Sequence, residues 1–503
     1  MSAVLNVIKN LKILLIFVTA LQITICSAAD SADRVLEVKL VGSDHQTYKR
    51  LPFEVPAGVG RITIVTQYTG QSDRTVVDFG LIDQAQRLVG WSGGNKKIFT
   101  LSELDATPSY SPRPIEPGIW NLLIGIPNIR PDSTSELRAE IYFSKSADPV
   151  DEPSVLRTVI SKNQTWYKGD LHTHSGHSDG TCSSIQKSSM VPCPTFKIIE
   201  KARERRLDFI ALTEHNTGSQ ANSLRELQPY YDDILLLSGR ELTSFYGHAN
   251  AIGIVRNINF QTQDPKTGWN TQLDDISKSA FVSVNHPVRP GGEFCMGCSW
   301  LGEFPNPMVQ GVEIANGDDI GTRYSGLDFW EKLLVSGQKL TAVAGSDNHN
   351  PGKDWYEWSA LGRPANWILS DQLSQTSIIQ SLREGHVILD FSKEQNPSHS
   401  PPLEMIAKAG QKIAQIGDSS MVAEGQTINL EITIPKGVER SLYLHSNTEM
   451  KINFSNGQAI IDGEKIHLAI IMPSHSSWIW ADIRDEKKNV VALTNPIYFT
   501  IRK

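Results

Sequence analysis

Hydrophobic and polar positions alternate in the first and last parts of the chain. Between residues 30 and 144, apolar residues recur at every second position in short runs such as Arg34–Leu40 and Leu137–Phe143, with Gly, Pro, Asp and Ser between the runs. The same alternation returns after residue 403, for example in Thr427–Ile434. Half-buried antiparallel strands give this pattern. We therefore predict an N-terminal β-sandwich domain over 30–150 and a C-terminal all-β domain, also a β-sandwich, over 403–503.

The middle of the chain has a different pattern. From Trp166 to Phe391, short continuous apolar runs alternate with amphipathic stretches, as where the helix candidate Thr195–Arg206 precedes the apolar run Asp208–Thr213. Apolar strands separated by helices are typical of a parallel sheet that is covered on both faces. About seven such units favour closure into a barrel. The sequence therefore predicts an α/β fold, with a distorted (β/α)7-type barrel over 160–395 between the two β domains.

Composition excludes some classes of protein. The chain has 503 residues, of which 40% are hydrophobic and 20% charged, so extensive disorder is not expected. The formal net charge is −7, and no long run of Lys and Arg occurs. We therefore expect no nucleic-acid binding through a basic patch.

The first 29 residues have the pattern of a secretory signal peptide. Lys9 and Lys12 precede the uncharged apolar run Ile13–Cys26, and the small residues Ser27–Ala29 offer a cleavage site. The apolar run is short for a membrane span, and no other stretch is long enough for one. We predict an exported protein, periplasmic or secreted, with no transmembrane segment after removal of residues 1–29. Lipid attachment at Cys26 is the alternative.

Four further cysteines are expected to form two disulfides. An even number of cysteines in an exported chain favours disulfides, and proximity favours Cys182 with Cys193 and Cys295 with Cys298. A structural zinc site is the alternative. The loops 181–194 and 287–305 contain these cysteines, and we expect them to form a stiffened rim that selects the substrate.

The predicted central strands end in residues that bind metals. A single histidine is usually solvated or hydrogen-bonded, but five successive strand ends with such residues predict a metal site. Nitrogen and carboxylate oxygen ligands together suit zinc, manganese or iron. The candidate ligands are His172, His174, Asp179, His215, Glu241, His248, His286, Asp347 and His349.

These residues resemble a known superfamily. The segment Asp170–Gly180, which reads DLHTHSGHSDG, is similar to the first motif of the polymerase-and-histidinol-phosphatase (PHP) superfamily of metal-dependent phosphoesterases. The segments Thr213–Asn216, Asn285–Pro287 and Gly345–His349 resemble its later motifs in the same order. The flanking β domains and Thr494–Phe499 resemble exported metallohydrolases of the CehA/McbA type.

The resemblance implies a cluster of two or three divalent metal ions. It assigns His172, His174, Glu241 and Asp347 to the first ion. Glu241 bridges to a second ion, which His248 and His286 also hold, and the third ion is assigned to Asp179, His215 and His349. Asp179 stands where some relatives have His.

The metals imply a hydrolase. We expect a metal-bridging hydroxide to attack a phosphoester of a small molecule or a polymer, with Asp347 and Arg289 as catalytic residues. Arg289 follows His286 by three residues and would clamp a phosphate oxygen, although a surface loop arginine is an equal interpretation. Hydrolysis of a carbamate or carboxyl ester is the alternative reaction. A module that binds glycan or protein on a barrel scaffold is the alternative class.

Overall fold

The computed structural model describes most of the chain. The described residues are 31–92, 96–145, 158–254, 276–291, 297–304, 307–393, 399–435, 441–447, 458–460 and 465–502, with 258, 260, 269, 273, 274 and 295. The predicted signal peptide, residues 1–29, lies outside them. None of the helices in these ranges is long and apolar enough to cross a membrane.

The N-terminal part forms two antiparallel sheets that face each other. One sheet has the order β1-β8-β3-β6 and the other has β2-β7-β4-β5. Buried aromatic residues of both sheets, among them Phe53, Phe99 and Trp120, pack in one core between them. The strands are β1 (Arg34–Val41), β2 (Thr47–Val55), β3 (Arg61–Tyr68), β4 (Val76–Ile82), β5 (Leu88–Ser92), β6 (Ile98–Ser102), β7 (Gly118–Asn128) and β8 (Thr134–Ser144).

The middle part contains eleven of the described strands and four described helices. The strands are β9 (Thr165–Thr173), β10 (Thr181–Ser183), β11 (Met190–Pro192), β12 (Phe209–His215), β13 (Leu235–Ser244), β14 (Gly247–Ile252), β15 (Phe281–Asn285), β16 (Gly311–Asn316), β17 (Thr341–Gly345), β18 (Ala365–Ser370) and β19 (Val387–Asp390). The helices are α1 (Thr195–Glu204), α2 (Gln220–Leu227), α3 (Leu327–Val335) and α4 (Gln375–Glu384). The Ser374 side chain caps the start of helix α4 by accepting a hydrogen bond from the Ser377 N–H. Gly385, which directly follows the helix, has a φ of 79°, a conformation that glycine adopts more readily than other residues.

The C-terminal part adds strands to two sheets. A separate four-stranded sheet has the order β21-β20-β23-β26, and the remaining strands join the central sheet through the pairing of β28 with β19. The strands are β20 (Glu404–Ala409), β21 (Lys412–Gln415), β22 (Ser419–Val422), β23 (Thr427–Thr433), β24 (Ser441–Ser446), β25 (Gln458–Ile460), β26 (Lys465–Ile471), β27 (Ser477–Arg484), β28 (Val490–Thr494) and β29 (Ile497–Ile501).

The central sheet has 15 strands and mixed directions. Its main path is β17-β16-β15-β14-β13-β12-β9-β18-β19-β28-β27-β24-β25. The neighbours β9, β12 and β13 run parallel, as do β15, β16 and β17. Strand β14 is antiparallel to both of its neighbours, and β18 is antiparallel to β9 and β19. The sheet therefore continues across the predicted boundary between the middle and C-terminal parts.

The predicted α/β barrel is wrong. The fold is β-rich, with 45% of the described residues in strands and 11% in helices, and it consists of several sheets. The apolar runs misled the prediction because strands that are buried on both faces are continuously apolar in either direction. Strand β15 (FVSVN), for example, is buried at all five positions, and it runs antiparallel to β14 but parallel to β16. Within the described residues, the turn 245–246 joins β13 to β14, and the helix-free segment 346–364 joins β17 to β18.

A buried ionic contact joins the N-terminal part to the middle part. Arg61 in β3 donates to both carboxylate oxygens of Asp105, and the Arg225 side chain of α2 reaches the same carboxylate. Nearby, the Asn222 side chain accepts from the Ala106 N–H at 2.8 Å. Helix α2 follows the strand that ends in His215, so the N-terminal sheets pack directly against an element that carries the site.

Candidate metal centre

One edge of the central sheet collects the first group of candidate ligands. His172 is the penultimate residue of β9, and His174 follows that strand. In the parallel register of β12 and β13, His215 lies opposite Glu241. Because neighbouring parallel strands end at the same edge, these four side chains lie close together.

The hairpin between β13 and β14 brings the second group to the same edge. Strand β14 reverses direction, so its first residues lie beside the last residues of β13, and His248 pairs with Thr243. His248 also pairs with Asn285, the last residue of β15, and His286 comes next in the chain. Because β14 runs antiparallel to both β13 and β15, His248 and His286 lie beside Glu241.

The segment after β17 closes the site from the other side. The Asp347 N–H donates to the His172 carbonyl oxygen at 2.9 Å, and the His174 N–H donates to the Asn348 carbonyl oxygen at 2.9 Å. These two bonds fix the segment against the end of β9. As a result, Asp347 and His349 face the other candidate ligands.

The Glu241 carboxylate lies at the centre of the cluster. Five imidazole nitrogens surround its two oxygens at distances of 2.9 to 3.6 Å. For Oε2 the nitrogens are His215 Nδ1 at 2.9 Å, His172 Nε2 at 3.4 Å and His174 Nε2 at 3.6 Å, and for Oε1 they are His248 Nδ1 at 3.3 Å and His286 Nε2 at 3.4 Å.

Two further carboxylates complete the cluster. Asp347 Oδ1 lies among buried histidines, whereas the Asp179 side chain is 61% exposed, so the cluster opens to solvent on the Asp179 side. The distances are Asp347 Oδ1 to His174 Nε2 3.2 Å and to His172 Nε2 3.4 Å, and Asp179 Oδ1 to His349 Nε2 3.2 Å and to His215 Nε2 3.7 Å. The structure thus brings all nine candidate ligands together, and their role as ligands stays a prediction.

The residues fit a cluster of divalent cations. Several buried side-chain atoms at the centre have no hydrogen-bond partner among the described residues, namely His172 Nε2, both ring nitrogens of His174, Glu241 Oε2 and His286 Nδ1. A buried polar atom without a partner costs about 1–3 kcal/mol. A cation among these atoms removes that cost, and the mixture of imidazole and carboxylate donors suits zinc, manganese or iron.

The charges at the site balance in a way that favours cation binding. Burial alone would raise the pKa values of Glu241 and Asp347, but nearby imidazoles, above all His172, hold both pKa values well below their usual range. Burial alone would lower the pKa of His172, but the carboxylates of Glu313, Glu241 and Asp347 raise it well above its usual value. Burial, with two neighbouring imidazoles, lowers the pKa of His174 to about 4. Ionised carboxylates thus hold a proton on His172 that a bound cation would replace.

Two candidate ligands have a backbone conformation that L residues rarely adopt. The φ angle is 28° at His286 and 52° at Asp347. Such residues cost about 1–3 kcal/mol each and cluster at functional sites. The strained backbone and the short distances between the candidate ligands therefore point independently to the same functional site.

One carboxylate that orients His172 was not among the residues predicted from the sequence. Glu313 lies inside the buried strand β16, where its Oε1 is 2.8 Å from His172 Nδ1. Its Oε2 accepts from the His286 N–H at 3.0 Å and from the Asn316 side chain at 3.1 Å. An acidic residue in the run Val312–Ala315 was the available signal. A partner on Nδ1 leaves Nε2 of His172 to face the cluster.

Replacing Glu313 with glutamine should weaken metal binding about 10–100-fold, which is the usual cost of losing an outer partner of a ligand. A glutamine amide has one oxygen that accepts and one NH₂ group that donates. Its NH₂ group would therefore face either the His172 ring or the N–H donors of His286 and Asn316, where the Glu313 carboxylate now accepts. Titration of the metal-free protein with Co²⁺ measures the change. Glu357→Gln, at an exposed turn, should bind as the wild type does. Equal affinities for all three proteins would contradict the role of Glu313.

Arg289 lies beside the cluster. Its Nη2 donates to the Asn316 side-chain oxygen at 2.6 Å and is 3.6 Å from Asp319 Oδ2. Its Nη1 is 3.6 Å from Asp347 Oδ2. The guanidinium is thus held in place next to a candidate ligand, which is not the position of a free surface arginine.

The two predicted cysteine pairs are close enough in the structure to form disulfides. The Cα atoms of Cys182 and Cys193 are 4.9 Å apart, and those of Cys295 and Cys298 are 5.5 Å apart. Both separations fall within the range that a disulfide spans. Cys182 lies within β10 and Cys193 directly follows β11, and the hairpin of these two strands follows the loop that contains Asp179.

Comparisons with known proteins do not assign the chain to a family. No family model matches it, and no curated protein matches it. A C. elegans MSP family member, WR4, is similar at 10% identity and a TM-score of 0.15, over 17% of this chain and 92% of that one. A glycosyl hydrolase family 2 member from Bacteroides cellulosilyticus is similar at 9% identity and a TM-score of 0.18, over 89% and 78%. Likenesses this weak carry no argument, so the PHP resemblance rests on the motifs alone.

Proposed function

We propose that this protein is an exported, multi-metal-dependent hydrolase that acts on phosphoesters. The main support for the proposal is that five imidazole nitrogens lie within 3.6 Å of the Glu241 carboxylate. Burying so many titratable groups is costly unless they are paired or bind cations, and several of the buried atoms have no hydrogen-bond partner among the described residues. The resemblance of the surrounding motifs to metal-dependent phosphoesterases supports the same reaction class.

The side chains have distinct tasks in this proposal. His172, His174 and Asp347 would hold one cation, His248 and His286 would hold a second, and Glu241 could serve both. Asp179, His215 and His349 would hold a third. When bound, divalent cations polarise an ester and make water a good nucleophile at neutral pH. The imidazoles and carboxylates fix these charges in one place, and the open side admits the substrate.

Arg289 favours a phosphoester over an uncharged ester. Its guanidinium lies 3.6 Å from Asp347 and is held by Asn316. A fixed positive charge at the edge of the cluster suits a phosphate oxygen, which a guanidinium binds with two parallel hydrogen bonds. A carboxyl or carbamate ester has no anionic oxygen for it to bind before the reaction.

The cysteine pairs are compatible with export. Disulfides persist mainly in oxidising compartments outside the cytosol. Two pairs at disulfide distance therefore support an exported protein, and the predicted signal peptide supplies the route.

A hydrolysis screen tests the proposal. Purified protein is loaded with Zn²⁺, Mn²⁺ or Fe²⁺ and assayed on a phosphomonoester, a phosphodiester and an uncharged carboxyl ester. We expect phosphoester hydrolysis that a chelator abolishes and added metal restores. Metal-dependent hydrolysis of the carboxyl ester alone would favour the second reaction. No metal-dependent hydrolysis of any probe would overturn the proposal.

Replacing Arg289 with alanine should raise the KM for the phosphoester about 10–100-fold, because a hydrogen bond to a charged group contributes about 1.5–3 kcal/mol. The KM for any carboxyl ester that the protein accepts should change little. Steady-state kinetics on both substrates measures the difference. Arg323→Ala, at an exposed arginine stacked on Tyr324, is the matched control and should behave as the wild type. An equal loss on both substrates would show that Arg289 has no role in phosphate binding.

A further inference from the structure

Cys298 lies against two candidate ligands of the cluster. Each of His248, His286 and Cys298 offers one ligand atom, and these three atoms all lie within 4.8 Å of one another. All three residues are buried. His286 Nδ1 is also buried and has no hydrogen-bond partner among the described residues. A sulfur atom is therefore placed where a metal ligand would be useful.

The chain around Cys298 is fixed to both elements that carry these histidines. The Trp300 N–H donates to the Pro287 carbonyl oxygen at 3.0 Å, just after His286. The Leu301 N–H donates to the Tyr246 carbonyl oxygen at 3.0 Å, in the turn that precedes His248. The position of Cys298 between the two histidines thus follows from backbone contacts on both sides.

The oxidation state of the cysteine pair decides whether this sulfur can bind a metal. In a disulfide with Cys295, the Cys298 sulfur is no thiolate and is a poor ligand. A dithiol reductant transfers two electrons and two protons to the disulfide, so the S–S bond breaks, two thiols form and the reductant becomes a disulfide. On binding a cation, the Cys298 thiol releases its proton and becomes a thiolate.

We propose that Cys295 and Cys298 form a redox switch whose reduced state places the Cys298 thiolate on the cation held by Glu241, His248 and His286. Three protein ligands leave one position of a tetrahedral ion open for water and substrate, and a fourth protein ligand closes it. Reduction therefore lowers hydrolysis. Thiol–disulfide exchange with an oxidant disulfide, which takes up two electrons and two protons and becomes a dithiol, re-forms the Cys295–Cys298 bond and restores hydrolysis. The effect on hydrolysis rests on the proposed function, whereas thiolate binding does not.

Two single variants of the full chain separate the states without a reductant. Cys295→Ser leaves Cys298 as a free thiol beside the histidines. Cys298→Ser leaves a free thiol at Cys295, which is not part of the group formed by His248, His286 and Cys298. Both variants keep the Cys182–Cys193 pair. Each is loaded with Co²⁺ under anaerobic conditions, and the near-ultraviolet absorption of a cobalt–thiolate bond is recorded together with bound cobalt.

We expect the cobalt–thiolate absorption in Cys295→Ser, none in Cys298→Ser, and its appearance in the wild type only after a dithiol is added. Hydrolysis by Cys295→Ser should be at least about tenfold slower than by Cys298→Ser, because the open position is closed. Cobalt bound by Cys295→Ser without this absorption would overturn the switch and leave the metal centre standing. No cobalt bound by any of the proteins would overturn both.

Discussion

Replacing Glu241 with glutamine should lower activity and metal affinity by at least about 100-fold, since even outer partners of ligands contribute 10–100-fold. The carboxylate has five imidazole nitrogens within 3.6 Å, and the neutral amide can bridge no pair of cations. Its NH₂ group would also point at one set of these nitrogens. Metal content after gel filtration and hydrolysis of the best phosphoester measure both losses.

A control separates loss of the cluster from loss of the fold. Glu404→Gln removes a partly buried carboxylate in β20, away from the site, and should leave metal content and activity unchanged. Circular dichroism of chelator-treated samples should give the same secondary structure for the wild type and both variants. Normal metal content in Glu241→Gln would show that this carboxylate is not a ligand. A collapsed metal-free fold would assign it a structural role.

Replacing Asp105 with alanine should lower the free energy of unfolding by about 3–5 kcal/mol, which is the usual cost of removing one partner from a buried ion pair. The side chains of Asp105 and Arg61 are both 0% exposed, and Arg225 meets them from α2. Without the carboxylate, two buried guanidinium groups face each other. Urea denaturation followed by tryptophan fluorescence measures the change.

The matched control for Asp105 is an exposed ion pair of the same N-terminal part. Glu37 pairs with Arg138 between β1 and β8, and the two side chains are 64% and 39% exposed. Glu37→Ala should therefore change the free energy of unfolding by no more than about 1 kcal/mol. Similar losses for the two variants would contradict a special role for the contact between the N-terminal part and α2.

The positions of the candidate ligands could be read from the sequence because cation chemistry restricts the residue types. His172, His174, Asp347 and His349 follow apolar runs at a spacing of two, and the structure places all four at one edge. Strand direction could not be read in the same way. Strand β14 is buried at all six positions, as β15 is at all five, but it runs antiparallel to both of its neighbours. The predicted barrel was therefore wrong, while the grouping of its strand ends was retained.

Residues that position other residues were harder to predict from the sequence. Glu313 lies within a buried strand rather than at its end, and only the contact with His172 reveals its task. Asp105 and Arg225 are 120 positions apart in the chain and belong to different predicted domains. Cys298 was predicted as half of a disulfide, but its approach to His248 and His286 depends on loop packing that no local pattern specifies.

Metal analysis of the purified protein is the sharpest test of a multi-metal centre around Glu241. The protein is expressed with its export signal, stripped with a chelator, supplied with excess Zn²⁺, Mn²⁺ or Fe²⁺ and freed of unbound metal before elemental analysis. We expect two or three tightly bound ions per chain for at least one of these metals, with a loss of at least one ion in Glu241→Gln. Less than one bound ion per chain with every metal would contradict it.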